Sequence, residues 1–97
     1  MRRLYVTAYG DPDVLAWQDE DEPVPEPGEA LVEVRAFSVI WADILERRGR
    51  YPGQREAPFP IGHEFTGVVV AVGTGVERVT VGMRVAGTNP AGGAAGE

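Results

Sequence analysis

Two adjacent ionisable residues, His63 and Glu64, are the first candidates for chemistry in the sequence. They follow the turn-forming Pro60 and Gly62, and they precede a run from Phe65 to Val72 whose β-branched residues favour a buried strand. A histidine and a carboxylate where a loop enters a strand could face a cleft and hold a substrate or a metal ion. Adjacent residues of an extended chain point to opposite faces, so this pair alone would not easily grip one ion.

The metal interpretation has further evidence against it. A catalytic zinc ion needs three protein ligands and an open position. The chain contains no cysteine, which excludes a thiolate metal site and a disulfide framework. A lone histidine is more often a structural or hydrogen-bonding residue. We therefore expect no metal site and regard His63 and Glu64 as residues beside a pocket.

Size and charge restrict the classes of partner. A chain of 97 residues forms one domain with a modest core. Its net charge of −6 argues against binding to nucleic acid or to an anionic membrane, since both depend on neutralising phosphates. No apolar run is long enough to span a bilayer, and Met1-Arg2-Arg3 is not followed by the apolar core of a signal peptide. We expect a soluble cytoplasmic protein with neither of these partners.

Strand patterns dominate the elements that must position the candidate residues. A hairpin is predicted from Arg2 to Ala8 and from Val14 to Gln18, around a turn of Gly, Pro and Asp. The alternating segment from Ala30 to Val39 is interpreted as a central strand. Gly67, within the strand from Phe65 to Val72, indicates a bulge or the close approach of another backbone. A last strand is predicted from Arg84 to Gly87.

One short helix is predicted, from Trp41 to Arg48, with Gly49 as a stop at the C′ position. Its apolar face, at i, i+3 and i+4, consists of Trp41, Ile44 and Leu45. Its opposite face carries Glu46, Arg47 and Arg48. The prolines and glycine between Arg50 and Ile61 predict a loop of about a dozen residues, a length that tends to be functional in a compact domain.

Two segments look irregular. From Asp19 to Glu29 there are six carboxylates and three prolines, which exclude a helix and favour an extended, solvated linker, the alternative being an acidic binding tail. From Thr88 to Glu97 the chain is rich in glycine and alanine, has no large apolar residue and looks cut short.

Several short motifs occur in a fixed order along the chain and together are similar to one family. They are Gly10-Asp11-Pro12-Asp13-Val14-Leu15, the run from Pro23 to Val32, Arg47-x-Gly49-x-Tyr51-Pro52, and Pro60-Ile61-Gly62-His63-Glu64-Phe65-Thr66-Gly67. Their combination resembles the medium-chain dehydrogenase/reductase superfamily. The pattern from Arg47 to Pro52 is most similar to its zinc-free NADPH:quinone oxidoreductase branch.

The resemblance implies a mainly β fold, namely a GroES-like, partly open β-barrel with one short helix, as at the N-terminus of alcohol dehydrogenases. Residues 1–97 would form this single domain, truncated and without a Rossmann domain, since no Gly-x-Gly-x-x-Gly follows a strand and opens a helix. The resemblance further implies that the full-length form is a homo-oligomer that uses NADPH, and no zinc, to reduce a small-molecule quinone or enone. The 97-residue chain alone is expected to be inactive.

The resemblance also suggests roles for individual residues. The cysteine ligand of the zinc enzymes falls on Ile40 and their proton-relay hydroxyl on Ala42, so zinc is not expected. A zinc-free reductase must stabilise the oxyanion that forms when hydride arrives. Tyr51 is the candidate catalytic donor, although it could equally be a packing residue.

The cofactor is expected beside Ile40 and Trp41, where the quinone reductases place the nicotinamide. Ile40 replaces their usual asparagine, which bears on quinone activity, and Trp41 could instead belong to the core. The expected substrate pocket consists of Asp43, Tyr51, His63 and Glu64. Asp43 could also simply stabilise the positive end of the helix dipole. Arg47 could contact a phosphate or a substrate, or lie on a solvated helix face.

Two other functions remain open at this point. One is a GroES-like binding or structural module without catalysis, in which the segment from Arg50 to Ile61 is a mobile arm. The other is a remnant of a zinc-dependent alcohol dehydrogenase.

Overall fold

Two antiparallel sheets of three strands form the framework of the chain in the computed structural model, which describes residues 1–89, 93 and 96. The first sheet, in the order β2-β1-β4, contains β1 (Arg2–Val6), β2 (Leu15–Asp19) and β4 (Phe59–Pro60). The second sheet, in the order β3-β5-β6, contains β3 (Ala30–Ser38), β5 (Glu64–Val72) and β6 (Arg84–Thr88). The helix α1 (Trp41–Arg47) connects β3 to the loop before β4. The predicted mainly β architecture with one short helix is confirmed.

The N-terminal hairpin is confirmed, with β1 and β2 paired from Arg2 opposite Asp19 to Val6 opposite Leu15. β1 ends at Val6, two residues earlier than predicted. β2 begins at Leu15, one residue later than predicted, because Pro12–Val14 form a short 3-10 helix before it. The acidic segment that follows contains no helix and is mostly exposed, as the charge pattern indicates.

Glu20, in that acidic segment, contacts two side chains of β1. Its Oε1 atom forms an ion pair with Arg3 Nε at 2.9 Å, although the angles are not those of a hydrogen bond. Its Oε2 atom accepts a hydrogen bond from the Tyr5 hydroxyl at 3.0 Å. This hydrogen bond, together with desolvation and the Glu20 charge, raises the pKa of Tyr5 above its usual value of 10.0.

The prediction that β3 is a central strand is wrong, because β3 lies at the edge of its sheet and β5 is in the centre. An alternating pattern marks a strand with one buried face, and edge and central strands share it. The apolar run of β5 concerns its faces and not its neighbours within the sheet, so it does not reveal the strand order either. β3 also ends at Ser38, one residue before the predicted end at Val39, which is 73% exposed.

The predicted irregularity at Gly67 is confirmed. The register of β3 against β5 shifts between Val34 and Ala36, directly opposite Gly67 and Thr66. A Cβ atom on Gly67 would lie 2.3 Å from the backbone oxygen of Glu33. Only a glycine permits the two backbones to approach this closely.

The helix has the predicted bounds within one residue, and Gly49 ends it with a φ of +74°. Arg50 N donates to Leu45 O and Gly49 N donates to Glu46 O, which is the Schellman arrangement. The predicted faces are wrong, however. Trp41 is 64% exposed, whereas Glu46 and Arg47 are only 4% and 8% exposed. Residues distant in the sequence pack over this polar face, and a helical pattern cannot reveal them.

The apolar core lies next to the loop that leads into β5. Its fully buried residues are Val6, Phe59 and Ile61, and Leu4, Val14, Leu15, Phe37 and Ala57 pack around them. Ile61 N also donates to Leu4 O at 3.0 Å. This core therefore anchors the chain two residues before His63. The prediction for the segment from Thr88 to Glu97 falls largely on residues 90–92, 94, 95 and 97, outside the described part, while Thr88 itself ends β6.

Candidate active site

A buried carboxylate and histidine pair forms the centre of the site. Asp43, in the first turn of α1, places Oδ1 at 2.7 Å from Nδ1 of His63, in the loop before β5. The two residues are 5% and 7% exposed. A carboxylate on Nδ1 holds the imidazole in one orientation and turns Nε2 toward the opposite side.

Asp43 has a second function at the start of α1. Its Oδ2 atom accepts a hydrogen bond from the backbone N of Ile40 at 2.9 Å. This contact is half of a capping box, in which a side chain of the first turn satisfies a free N–H group before the helix. This contact supports the helix-stabilising interpretation of Asp43, and together with His63 it engages both of its oxygens.

His63 Nε2 faces a second carboxylate on the same helix. Glu46 Oε2 lies 3.7 Å from Nε2, which is too long for a hydrogen bond, and Nε2 is buried without a hydrogen-bond partner. The Glu46 carboxylate is approached by Arg55, whose Nη2 is 3.5 Å from both oxygens. Arg55 Nη2 also donates to Pro60 O at 2.8 Å. His63 is thus held between two helix carboxylates, the outer one paired with an arginine.

Tyr51 joins this group from the long loop. Its ring centroid lies 5.7 Å from that of His63, with the ring planes inclined by 48°. Its backbone N donates to Gln54 Oε1 at 3.2 Å, and the Gln54 amide donates to Arg55 O at 2.9 Å. Among the described residues, the Tyr51 hydroxyl has no hydrogen-bond partner, so it is free to bind a ligand.

The loop that carries Tyr51 is fixed at both ends. The Tyr9 hydroxyl donates to Arg55 O, and the Tyr9 ring lies so close to Gly49 that a Cβ there would be 2.8 Å from the ring. Gly10 N donates to Arg47 O at 2.9 Å. The guanidinium of Arg55 lies 4.5 Å from the centroid of the Phe59 ring. These contacts hold the loop against the end of α1.

Not all predicted site residues meet. Glu64 is exposed and accepts a hydrogen bond from Ser38 Oγ at 2.6 Å, in an open groove of about 600 Å³ on the second sheet. His63 faces α1 instead, as expected for adjacent residues of an extended chain. Ile40 is half-buried, and Trp41 is exposed beside it. Asp43, Tyr51 and His63 come together, whereas Glu64 and Trp41 lie apart from them.

The sequence analysis missed two residues of the site, Glu46 and Arg55. Glu46 is three residues after Asp43, a spacing that places both carboxylates on one helix face, so a signal was present. No comparable pattern marks Arg55, because its role depends on how the loop folds back to Glu46.

Residues 26–96 match the model of the alcohol dehydrogenase GroES-like domain family. The chain belongs to this family, within the medium-chain dehydrogenase/reductase superfamily. Its relatives include quinone oxidoreductases. The quinone oxidoreductase of Pseudomonas aeruginosa is 40% identical over 85 residues, which is 88% of this chain and 26% of that protein.

Solved structures of the family have the same fold. The crystal structure of Escherichia coli quinone oxidoreductase complexed with NADPH superposes with a TM-score of 0.89 and 32% identity, covering 97% of this chain and 28% of that one.

A mycocerosic acid synthase-like polyketide synthase of Mycobacterium tuberculosis is 41% identical over 90 residues, 93% of this chain and 4% of that protein. The chain therefore spans well under a third of the length of these relatives. None of the helices in its described part is both long and apolar enough to cross a membrane.

The zinc ion of some GroES-like dehydrogenases can be tested against the residues present. Asp43, Glu46 and His63 each offer a ligand atom, and these atoms lie within 4.8 Å of one another. Both oxygens of Asp43 are already engaged, however, and the Arg55 guanidinium already lies on the carboxylate of Glu46. To ligate a metal ion, Asp43 and Glu46 would have to give up these contacts.

Proposed function

We propose that the chain is the N-terminal catalytic-domain portion of an NADPH-dependent, quinone oxidoreductase-like reductase that transfers hydride to a quinone or an enone without a metal ion. Residues 1–97 are one GroES-like domain, and a cofactor-binding domain completes the enzyme. The full-length form is a cytoplasmic homo-oligomer. The observation that carries the proposal is the free Tyr51 hydroxyl on a loop that is fixed against His63.

The chain's own residues have defined tasks in this proposal. NADPH, when bound, supplies the hydride, and the exposed indole of Trp41 offers an apolar surface for its nicotinamide. The Tyr51 hydroxyl donates a hydrogen bond to the substrate oxygen, which becomes negative as hydride reaches the conjugated carbon. His63, oriented by Asp43, lies beside the ring of Tyr51 and helps to position it.

The relatives support this proposal in two ways. The chain is similar to named quinone oxidoreductases along nearly its full length, including one that binds NADPH. It covers only about a quarter of each, and it contains no Gly-x-Gly-x-x-Gly motif that opens a helix. The 97-residue chain alone should therefore be inactive, and a fluorescence titration of it that showed micromolar NADPH binding would contradict the proposal.

A chimaera tests the chemistry directly. The chain replaces the matching N-terminal residues of the Pseudomonas aeruginosa quinone oxidoreductase, and NADPH oxidation is followed with a quinone and with an enone. Tyr51→Phe should lower kcat by about 100- to 1000-fold, the usual effect of losing one oxyanion donor. Tyr5→Phe, a matched change whose hydroxyl is bound to Glu20, should leave kcat within about twofold. Equal effects of the two changes would remove Tyr51 from the mechanism.

A metal-binding form is the second candidate, because three possible ligands lie within 4.8 Å of one another. Metal analysis of the purified chain decides between the two. Stoichiometric zinc that is lost in His63→Ala would favour the second candidate, and we expect substoichiometric zinc that does not change with this substitution.

A further inference from the structure

A cavity of about 290 Å³ lies between α1, the 3-10 helix before β2 and the end of the long loop. Aliphatic side chains form most of its wall, among them Leu15, Ile44 and Ile61. It is separate from the groove that contains Glu64, and Tyr51 does not line it. Its volume is just below the usual range of about 300–1,000 Å³ for small-molecule sites, which suits a ligand of only a few heavy atoms.

Arg47 lines this cavity and has an unusual environment. Its side chain is only 8% exposed. Among the described residues, no carboxylate lies within 4.0 Å of its guanidinium, and the guanidinium donates no hydrogen bond to the protein. None of its nitrogen atoms is among the fully buried polar atoms without a partner, so the guanidinium reaches the space of the cavity, where an anion can approach it.

Asp43, the acidic residue that lines the same cavity, does not supply this anion. It lies four residues before Arg47 on the helix, a spacing that permits an ion pair. Its two oxygens are engaged by His63 Nδ1 and by the backbone N of Ile40. No described carboxylate therefore pairs with Arg47, and its guanidinium remains available to an anion that enters the cavity.

We propose that the Arg47 cavity binds a small organic acid, with its carboxylate on the guanidinium and its apolar body against Leu15, Ile44 and Ile61. Arginine matches a carboxylate with two parallel hydrogen bonds, which favours this anion over a spherical one. An inorganic anion would leave the aliphatic wall without a partner. The site takes no part in the proposed hydride transfer, so the two proposals fail or succeed separately.

Butyrate is the probe, added to the 97-residue chain while the methyl resonances are followed by NMR. Saturable shifts of the Leu15, Ile44 and Ile61 methyl groups are expected. 1-Butanol tests the charge, and inorganic phosphate tests the apolar body. The absence of saturable shifts with butyrate, or equal affinity for 1-butanol or for phosphate, would overturn the proposal.

Two arginine substitutions complete the test. Arg47→Met should weaken butyrate binding about 10- to 100-fold, through loss of a charged hydrogen-bond donor. Arg48→Met, which removes the same charge from the next and exposed residue, should leave the affinity within about twofold. Equal weakening by both would mean that only general charge attracts the acid, which refutes a site. Arg47→Lys keeps the charge and should give an intermediate loss, and the wild-type shifts decide the question if neither Arg47 variant folds.

Discussion

His63 Nδ1 lies 2.7 Å from Asp43 Oδ1, and this contact joins the loop that enters β5 to the first turn of α1. The two residues are twenty positions apart and both are buried. Because the same carboxylate also accepts from the backbone N of Ile40, one side chain sets the start of the helix and the orientation of the imidazole.

Asp43→Asn should therefore lower the free energy of unfolding by about 1–3 kcal/mol, since it removes a charged acceptor from a buried hydrogen bond. Urea denaturation measures the loss. Asp21→Asn, the same change at an exposed position, should stay within about 0.5 kcal/mol. Equal losses would show that the buried pair contributes nothing specific.

The pairing of Arg55 with Glu46 should be visible in a double-mutant cycle. Arg55→Met leaves the buried Glu46 carboxylate without its cation and should cost about 1–3 kcal/mol, less than for a fully buried pair because Arg55 is 31% exposed. Glu46→Gln in the same chain should recover part of this loss. Arg50→Met, at an exposed position of the same loop, is the control. Strictly additive effects of the two changes would contradict the pairing.

Alanine substitutions at Gly49 and at Gly53 should distinguish the cost of backbone strain from the cost of steric overlap. Both have a φ of +74°, where alanine costs about 1–2 kcal/mol. A Cβ at Gly53 meets nothing within 4 Å, whereas a Cβ at Gly49 would lie 2.8 Å from the Tyr9 ring. Gly49→Ala should thus be about 1–3 kcal/mol more destabilising than Gly53→Ala in thermal unfolding. The difference should shrink in a Tyr9→Ala background, and its persistence there would exclude the ring as the cause.

Two strand glycines should differ in the same way. A Cβ at Gly67 would lie 2.3 Å from a backbone oxygen of β3, and one at Gly87 would lie 3.0 Å from the end of the Phe65 ring. A ring can rotate or shift, whereas a paired backbone cannot move without breaking its hydrogen bonds. Gly67→Ala should cost at least about 2 kcal/mol more than Gly87→Ala. The reverse order in denaturant unfolding would mean that β3 and β5 are not packed this closely.

Stability should fall at alkaline pH through Tyr5. The folded state holds the Tyr5 proton more tightly than the unfolded state, because the hydroxyl donates to Glu20 and its pKa is raised. The stabilisation is therefore complete below the unfolded pKa of about 10 and disappears as the pH rises through the higher folded pKa. Absorbance titration of tyrosinate should show one group above the ordinary range, and Glu20→Gln should lower it. An unchanged titration in Glu20→Gln would assign the high pKa to another tyrosine.

Local patterns accounted for most of the fold. The hairpin, β5 with Gly67, β6 and the Gly49 stop could all be predicted, because each depends on neighbours in the chain or on a residue type that tolerates one backbone shape. The order of strands in the second sheet could not be predicted, since the pattern of β3 is the same at an edge and in the centre.

Only part of the site could be predicted from the sequence. Asp43, Tyr51 and His63 were all candidates, and the structure brings them together. The inward direction of Glu46 and Arg47 was not foreseen, because the apolar spacing of Trp41, Ile44 and Leu45 suggested the opposite orientation of α1. Burial of a charged face depends on partners distant in sequence, here His63 and Arg55, which no helical period can indicate.

The charged inner face of α1 has a consequence for how this segment tolerates sequence change. An apolar helix face tolerates many substitutions of similar size. A substitution at Asp43 or Glu46, in contrast, leaves His63 or Arg55 without its carboxylate partner. Substitutions at these four positions should therefore occur together with substitutions of their partners. Randomised libraries selected for folded protein should recover them as linked groups, with few survivors altered at one position alone.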